Sequence, residues 1–362
     1  MVCNGTGTRV TPHRALRWVA AVASSASGKY HNGEFMDISA GEAPLAAPCA
    51  AGFWRRSAAF IVDALVLGAI GALAGWALFD VFARMGGYGR ALGFVLALAY
   101  FGVMNSTLCA GQTLGKRLLG VRVVGKDGSP LSLPQSLLRY SVLGIPFFLN
   151  GAPLDTDVVL SPLAYVLSLV IFGGLASILY LYVFNRRGRR SLHDLAVGSS
   201  VVVARMPIAT ITPAPVWRVH LMVVGLFLVA ATAVPAVTGR LAQSEHFKDL
   251  LVAYEAVNAE PGVQNAQISH NIAFRSGSPD VESVVAQVNL LEGRVDDGAF
   301  AERIAGIILA KDRKAPRMSA IHVTLVYGYD LGIASSWRWK SYQFAPQELV
   351  TAGGAVAAEG AR

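Results

Sequence analysis

Hydrophobic positions along this chain fall in long unbroken runs separated by short basic turns, and only beyond about residue 239 do they break into short periodic patterns. The runs near 57–79, 91–110, 162–184 and 217–237 are each of membrane-spanning length, because about 20 apolar residues in a helix cross a hydrocarbon core of roughly 30 Å. A shorter run, Leu137–Leu149, is interrupted by Pro146. Counted as a crossing, it brings the total to about five transmembrane helices; read as re-entrant, it puts the later basic cluster on the wrong side of the bilayer. In the first span Gly71 and Gly75 stand one helical turn apart and form a surface on which another helix can approach closely. The segment from Gly111 to Pro130 reads as an amphipathic loop at the membrane surface, with alternation at Val121–Val124 and a turn at Asp127-Gly128.

After the last span the pattern becomes that of a compact domain over 239–345. It predicts helices near Glu245–Val257 and Asp297–Lys311, and strands near Asn265–Phe274, Glu282–Leu291, Ser319–Tyr327 and Ser336–Gln343. The expected fold class is therefore a mainly α-helical polytopic membrane protein with a C-terminal α+β soluble domain. Residues 1–50 lack sustained periodicity and are expected to be a disordered or mis-assigned extension, 205–238 a linker with the last span, and 346–362 a disordered tail.

Composition agrees with the pattern: 54% of the 362 residues are hydrophobic, 15% are charged, and mean hydropathy is +0.48. These values indicate an integral membrane protein. The net charge of +8 gathers in the short loops, so a positive-inside bias accounts for it without nucleic acid. Arg55, Arg56, Lys116, Arg117, Arg122, Lys126, Arg139, the cluster Arg186-Arg187-Gly188-Arg189-Arg190, Arg205 and Arg218 stand against Arg84 and Arg90. With five spans, that asymmetry places the N-terminus in the cytoplasm and the C-terminal domain on the opposite side of the membrane. The three cysteines have neither a disulfide pattern nor metal-ligand spacing, and the histidines are scattered, so no metal or cofactor is expected. No nucleophile, paired-carboxylate or zinc-protease arrangement supports an enzyme, and the glycines at 111 and 115 are too close for a phosphate-binding loop.

Asp63 is the leading candidate for chemistry, because a carboxylate in the hydrocarbon layer must be paired, protonated, or facing water or an ion. It is either a cation or proton site, or a fixed counter-ion for an arginine such as Arg56 or Arg190. Arg56 lies seven positions earlier, about two turns or roughly 10 Å along the helix on nearly the same face. Asp194 can close a network with Arg56, and His193 is a candidate proton shuttle near neutral pH. Arg190, Lys116 and Arg117 are secondary candidates.

Three blocks occur together: Gly52-Phe53-Trp54-Arg55-Arg56 leading to Asp63, the segment Gly111-Gln112-Thr113-Leu114-Gly115-Lys116-Arg117 through Val124, and Arg190-Ser191-Leu192-His193-Asp194-Leu195-Ala196. Their combination over about residues 51–204 resembles the RDD family of bacterial membrane proteins. The resemblance implies that the family's arginine and two aspartates are Arg56, Asp63 and Asp194, and that cation/proton exchange is the activity to expect. The stretch from Asn150 to Ser161, the last span and the outer domain depart from the family pattern. The alternative is a membrane scaffold whose outer α+β domain binds an envelope protein. Membrane lipids, a monovalent cation, protons, an envelope partner and a second copy of the chain are the partners these readings admit.

Overall fold

The computed structural model describes residues 50–154, 156–205, 215–273 and 281–351. The expected N-terminal extension and most of the expected C-terminal tail lie outside them. Helix α1 (Phe53–Ala77) is followed by a bent pair, α2 (Phe79–Met85) and α3 (Tyr88–Met104), whose axes differ by 111°. A short helix α4 (Leu114–Leu118) leads to strand β1 (Val121–Val124), then to α5 (Leu133–Leu149) and α6 (Leu163–Phe184), which contains a π turn at Leu169–Gly173. Helix α7 (Leu192–Val197), strand β2 (Ser200–Val203) and helix α8 (Arg218–Ala242) complete the membrane part.

By length and apolarity α1, α6 and α8 qualify as membrane spans, and the α2–α3 pair qualifies if it counts as one broken span. Helix α5 has 17 residues. It starts at Leu133, earlier than its apolar run, because Ser132 and Gln135 form a reciprocal capping box, and it continues through Pro146. Successive long helices run antiparallel. Tyr100 of α3 reaches Asp63 of α1, Ser136 of α5 reaches the Phe101 carbonyl, and Tyr180 of α6 meets His220 at the start of α8. The second apolar run ends as helix at Met104 rather than near 110, because the Asn105 amide and the Ser106 hydroxyl donate back to the carbonyls of Phe101 and Val103.

The segment expected to be a surface loop is ordered by pairing. Strand β1 is antiparallel to β2, with Val121 opposite Val203 and Val124 opposite Ser200. This ladder carries the 190–203 segment back beside residues 111–124. Gly111 makes the approach possible: its φ is 71°, and a Cβ there would strike the backbone of Val123.

Beyond α8 lie helix α9 (Glu245–Asn258), strands β3 (Val263–Ala273) and β4 (Val281–Leu290), helix α10 (Gly298–Lys311), and strands β5 (Ala320–Asp330) and β6 (Ser335–Phe344). The sheet order is β3-β4-β5-β6, parallel only between β4 and β5, which α10 connects. Alternate residues Val284, Ala286 and Val288 of β4 pack with Ile321, Val323 and Leu325 of β5 under Ile304 and Ile308 of α10. Further along β5 the same face passes from α10 to the membrane part, where Tyr327 and Tyr329 meet Phe79 and Tyr329 also meets Phe82.

The surface formed by Gly71 and Gly75 therefore receives a β-hairpin rather than another helix. A Cβ at Gly75 would collide with the Tyr329 side chain, and one at Gly71 with Ala334 and Ile333. Arg90 locks the same junction by an ion pair with Asp330 at 2.5 Å and a hydrogen bond of 2.9 Å to the Phe148 carbonyl.

Candidate functional site

Asp63 lies in α1 with no exposed surface. Its Oδ1 accepts hydrogen bonds from the Tyr100 hydroxyl and the Gly115 N–H, each at 2.8 Å, and its Oδ2 accepts one from the Thr113 hydroxyl at 2.5 Å. Thr113 also caps the start of α4, accepting from the Lys116 N–H. Gly115 allows α4 to lie this close, since a Cβ there would meet the Ala59 carbonyl. All three donors are neutral, and none of the salt bridges among the described residues includes Asp63. Arg56, considered as its counter-ion, pairs elsewhere.

Arg56 joins Asp194 instead. Asp194 Oδ2 accepts from Arg56 Nη2 at 3.0 Å and from the Ser191 N–H at 3.3 Å. Its Oδ1 accepts from Arg139 Nη2 at 2.6 Å, Arg139 Nε at 3.0 Å and the Ser199 hydroxyl at 3.1 Å. Arg56 also donates to the Arg189 carbonyl and lies over the Tyr182 ring, 5.2 Å from its centroid. Asp194 is fully buried; burial pushes its carboxyl up, but the Arg139 and Arg56 guanidinium groups outweigh it and hold the group well below the usual carboxylate range. One carboxylate therefore fastens α1, α5 and α7 together.

Between α1, α5 and α6 a cavity of about 480 Å³ opens. Exposed Phe60, Ile61, Phe147 and Leu179 line its mouth, while Arg56, Lys116, Arg139 and His193 line its polar end. Among the described residues no Asp or Glu lines it. Lys116 Nζ lies 3.4 Å from the Thr113 hydroxyl and 5.9 Å from the centre of the Phe101 ring. Burial and then the nearby Arg139 charge push Lys116 down to about 7. Burial likewise pushes His193 down to about 3, so it is neutral at physiological pH. The residue is 8% exposed, and a charge there is costly.

Of the residues singled out from sequence, Arg56, Lys116 and His193 converge on the cavity end, Asp194 lies behind it paired with Arg56, and Asp63 lies beyond Lys116, through Thr113. Arg117 is exposed, and Arg190 is buried with its carbonyl accepting from Asn185 at 2.8 Å. Arg139, Tyr100 and Thr113 were not among the candidates. Arg139 carried a signal, a single cation within an apolar run, which is the reason Asp63 was chosen. Among the described residues no group of three or more His, Cys, Asp or Glu side chains could hold a metal ion.

Long apolar helices fastened by two buried carboxylates, with a separate sheet domain at one end, define a polytopic membrane protein. Residues 50–198 match the RDD family, and the chain carries an RDD family domain over that segment. It is similar to the uncharacterised protein YckC of Bacillus subtilis (strain 168), 28% identical over 154 residues, which cover 42% of this chain and 85% of that protein. No solved structure matches.

Proposed function

We propose that this is a multi-pass protein of the bacterial cytoplasmic membrane that exchanges a monovalent cation for protons, with Asp63 as the carboxylate protonated in the cycle. The observation that carries the proposal is the hydrogen-bonded chain from Asp63 through the Thr113 hydroxyl to Lys116. It links a fully buried carboxylate held only by neutral donors to an amine whose charge changes near neutral pH. A proton arriving at Lys116 can pass to Asp63 if Lys116 gives a proton to the Thr113 oxygen as the Thr113 hydroxyl proton moves to Asp63, after which rotation of the hydroxyl resets the relay. The cation in this reading does not traverse the cavity beside Lys116, whose lining is cationic. The Arg56–Arg139–Asp194 knot braces the site, on the cytoplasmic side by the charge of the surrounding loops.

A second reading, a scaffold, is favoured by the outer domain. Strand β6 is an edge strand with Trp337 and Trp339 exposed, the kind of edge to which an envelope protein can add a strand. Everted membrane vesicles challenged with Na⁺, K⁺ or Li⁺ separate the two. Exchange predicts cation-driven proton movement in wild type that is lost in Asp63→Asn at equal membrane abundance. No movement in wild type would sink the exchange reading and favour the scaffold.

A further inference from the structure

The cavity between α1, α5 and α6 has two ends of opposite character. Its mouth is made of apolar side chains that are exposed on the flank of membrane helices, where acyl chains are the solvent. Its inner end holds three cations, and their balance is incomplete. Arg56 and Arg139 share the single carboxylate of Asp194. Lys116 has no salt bridge among the described residues, only a long contact to a hydroxyl and a ring face. His193, 8% exposed and also in the lining, leaves Nδ1 buried without a hydrogen-bond partner. A volume of about 480 Å³ is within the usual range for ligand sites.

We infer that this cavity is a binding site for one anionic phospholipid of the surrounding bilayer, its phosphate against Lys116 and Arg56 and an acyl chain along Phe60, Leu143 and Leu179. The charge decides the headgroup. A phosphate without a compensating amine neutralises the surplus cation, whereas a zwitterionic headgroup brings its own positive charge into a cationic pocket. The apolar mouth decides the source, because a free phosphate would leave that wall unfilled and a membrane lipid enters sideways without leaving the hydrocarbon layer. His193, kept neutral by burial, supplies Nδ1 as one further hydrogen-bonding group. This inference stands apart from proton exchange, since it concerns occupancy and not transport.

Native mass spectrometry of the full-length protein in a neutral detergent tests it, with titrations of dioleoyl phosphatidylglycerol, dioleoyl phosphatidylcholine and inorganic phosphate. The expected result is retention of phosphatidylglycerol at about tenfold lower concentration than phosphatidylcholine, the size of one good charge-assisted contact. That preference should vanish in Lys116→Met. Leu175→Trp, which fills the apolar part and leaves the cations in place, should reduce retention of both lipids. Asp63→Asn should keep the preference, so loss of exchange and loss of lipid selectivity are separable outcomes. Equal retention of the two lipids by wild type, a preference unchanged in both cavity variants, or displacement of the lipid by millimolar inorganic phosphate would each overturn the assignment.

Discussion

Asp194 is the residue on which most charge converges, and its removal should show it. Asp194→Asn keeps the shape but leaves Arg56 and Arg139 buried without an anion, and breaking a buried pair in this way costs about 3–5 kcal/mol. The expected outcome is a large fall in the thermal unfolding midpoint in detergent. The acid dependence has a defined sign: the folded carboxyl titrates below its unfolded value, so its stabilisation is complete above about pH 4 and is lost as pH falls below that. Acid unfolding of Asp194→Asn should lack this limb. Lys116 works in the opposite sense. Its folded value is lowered to about 7, so the folded state resists a proton that the unfolded chain accepts, and stability declines from about pH 10 down to 7. Lys116→Met should therefore unfold at a higher temperature than wild type at pH 6, with the difference shrinking toward pH 10. At this scale Asp63 and Arg56 were legible because a charge in an apolar run is costly and therefore conspicuous. Tyr100 and Thr113 were not, because a hydroxyl in or beside an apolar run costs little and signals nothing until its partner is known.

Among the elements, the junction between the first span and the β5–β6 hairpin is the contact that pattern reading misassigned. Glycines one turn apart announce a close approach but not what approaches. The occupant is Tyr329 at Gly75, with Ile333 and Ala334 at Gly71. Gly75→Ala should loosen the C-terminal domain, read as faster proteolysis between the domain and the bundle. The double variant Gly75→Ala/Tyr329→Ala should recover part of the loss, since removing the ring makes room for the methyl. A helix packed on Gly75 would give no such rescue. The long helices and the four strands of the sheet were readable because each carries its own period over many residues. Strand β2 was not, since Ser200–Val203 is four residues long and has meaning only opposite β1.

For the whole molecule, the charge knot and the hairpin junction lie near opposite ends of α1, with Arg56 and Gly75 nineteen residues apart, roughly 28 Å along a helix and close to the thickness of a hydrocarbon core. Single cysteines at Asp127 and Glu292, in a background lacking the natural ones, should therefore react with an impermeant maleimide from opposite sides of the membrane. Labelling of both from one side would remove the proposed orientation. Sequence by itself determined that this chain is a membrane protein with an α+β domain after its last span, because hydrophobic run length and periodicity are local quantities that any folded state must satisfy. The match of residues 50–198 to the RDD family is likewise a property of the sequence. Only the tertiary structure decided that Arg56 serves Asp194 rather than Asp63, that Arg139 shares that carboxylate, and that an apolar cavity ends in unbalanced cations. Those are pairings between segments up to 138 positions apart, and which charge meets which is fixed by how the helices and the β1–β2 ladder bring them together, not by the residues near either one.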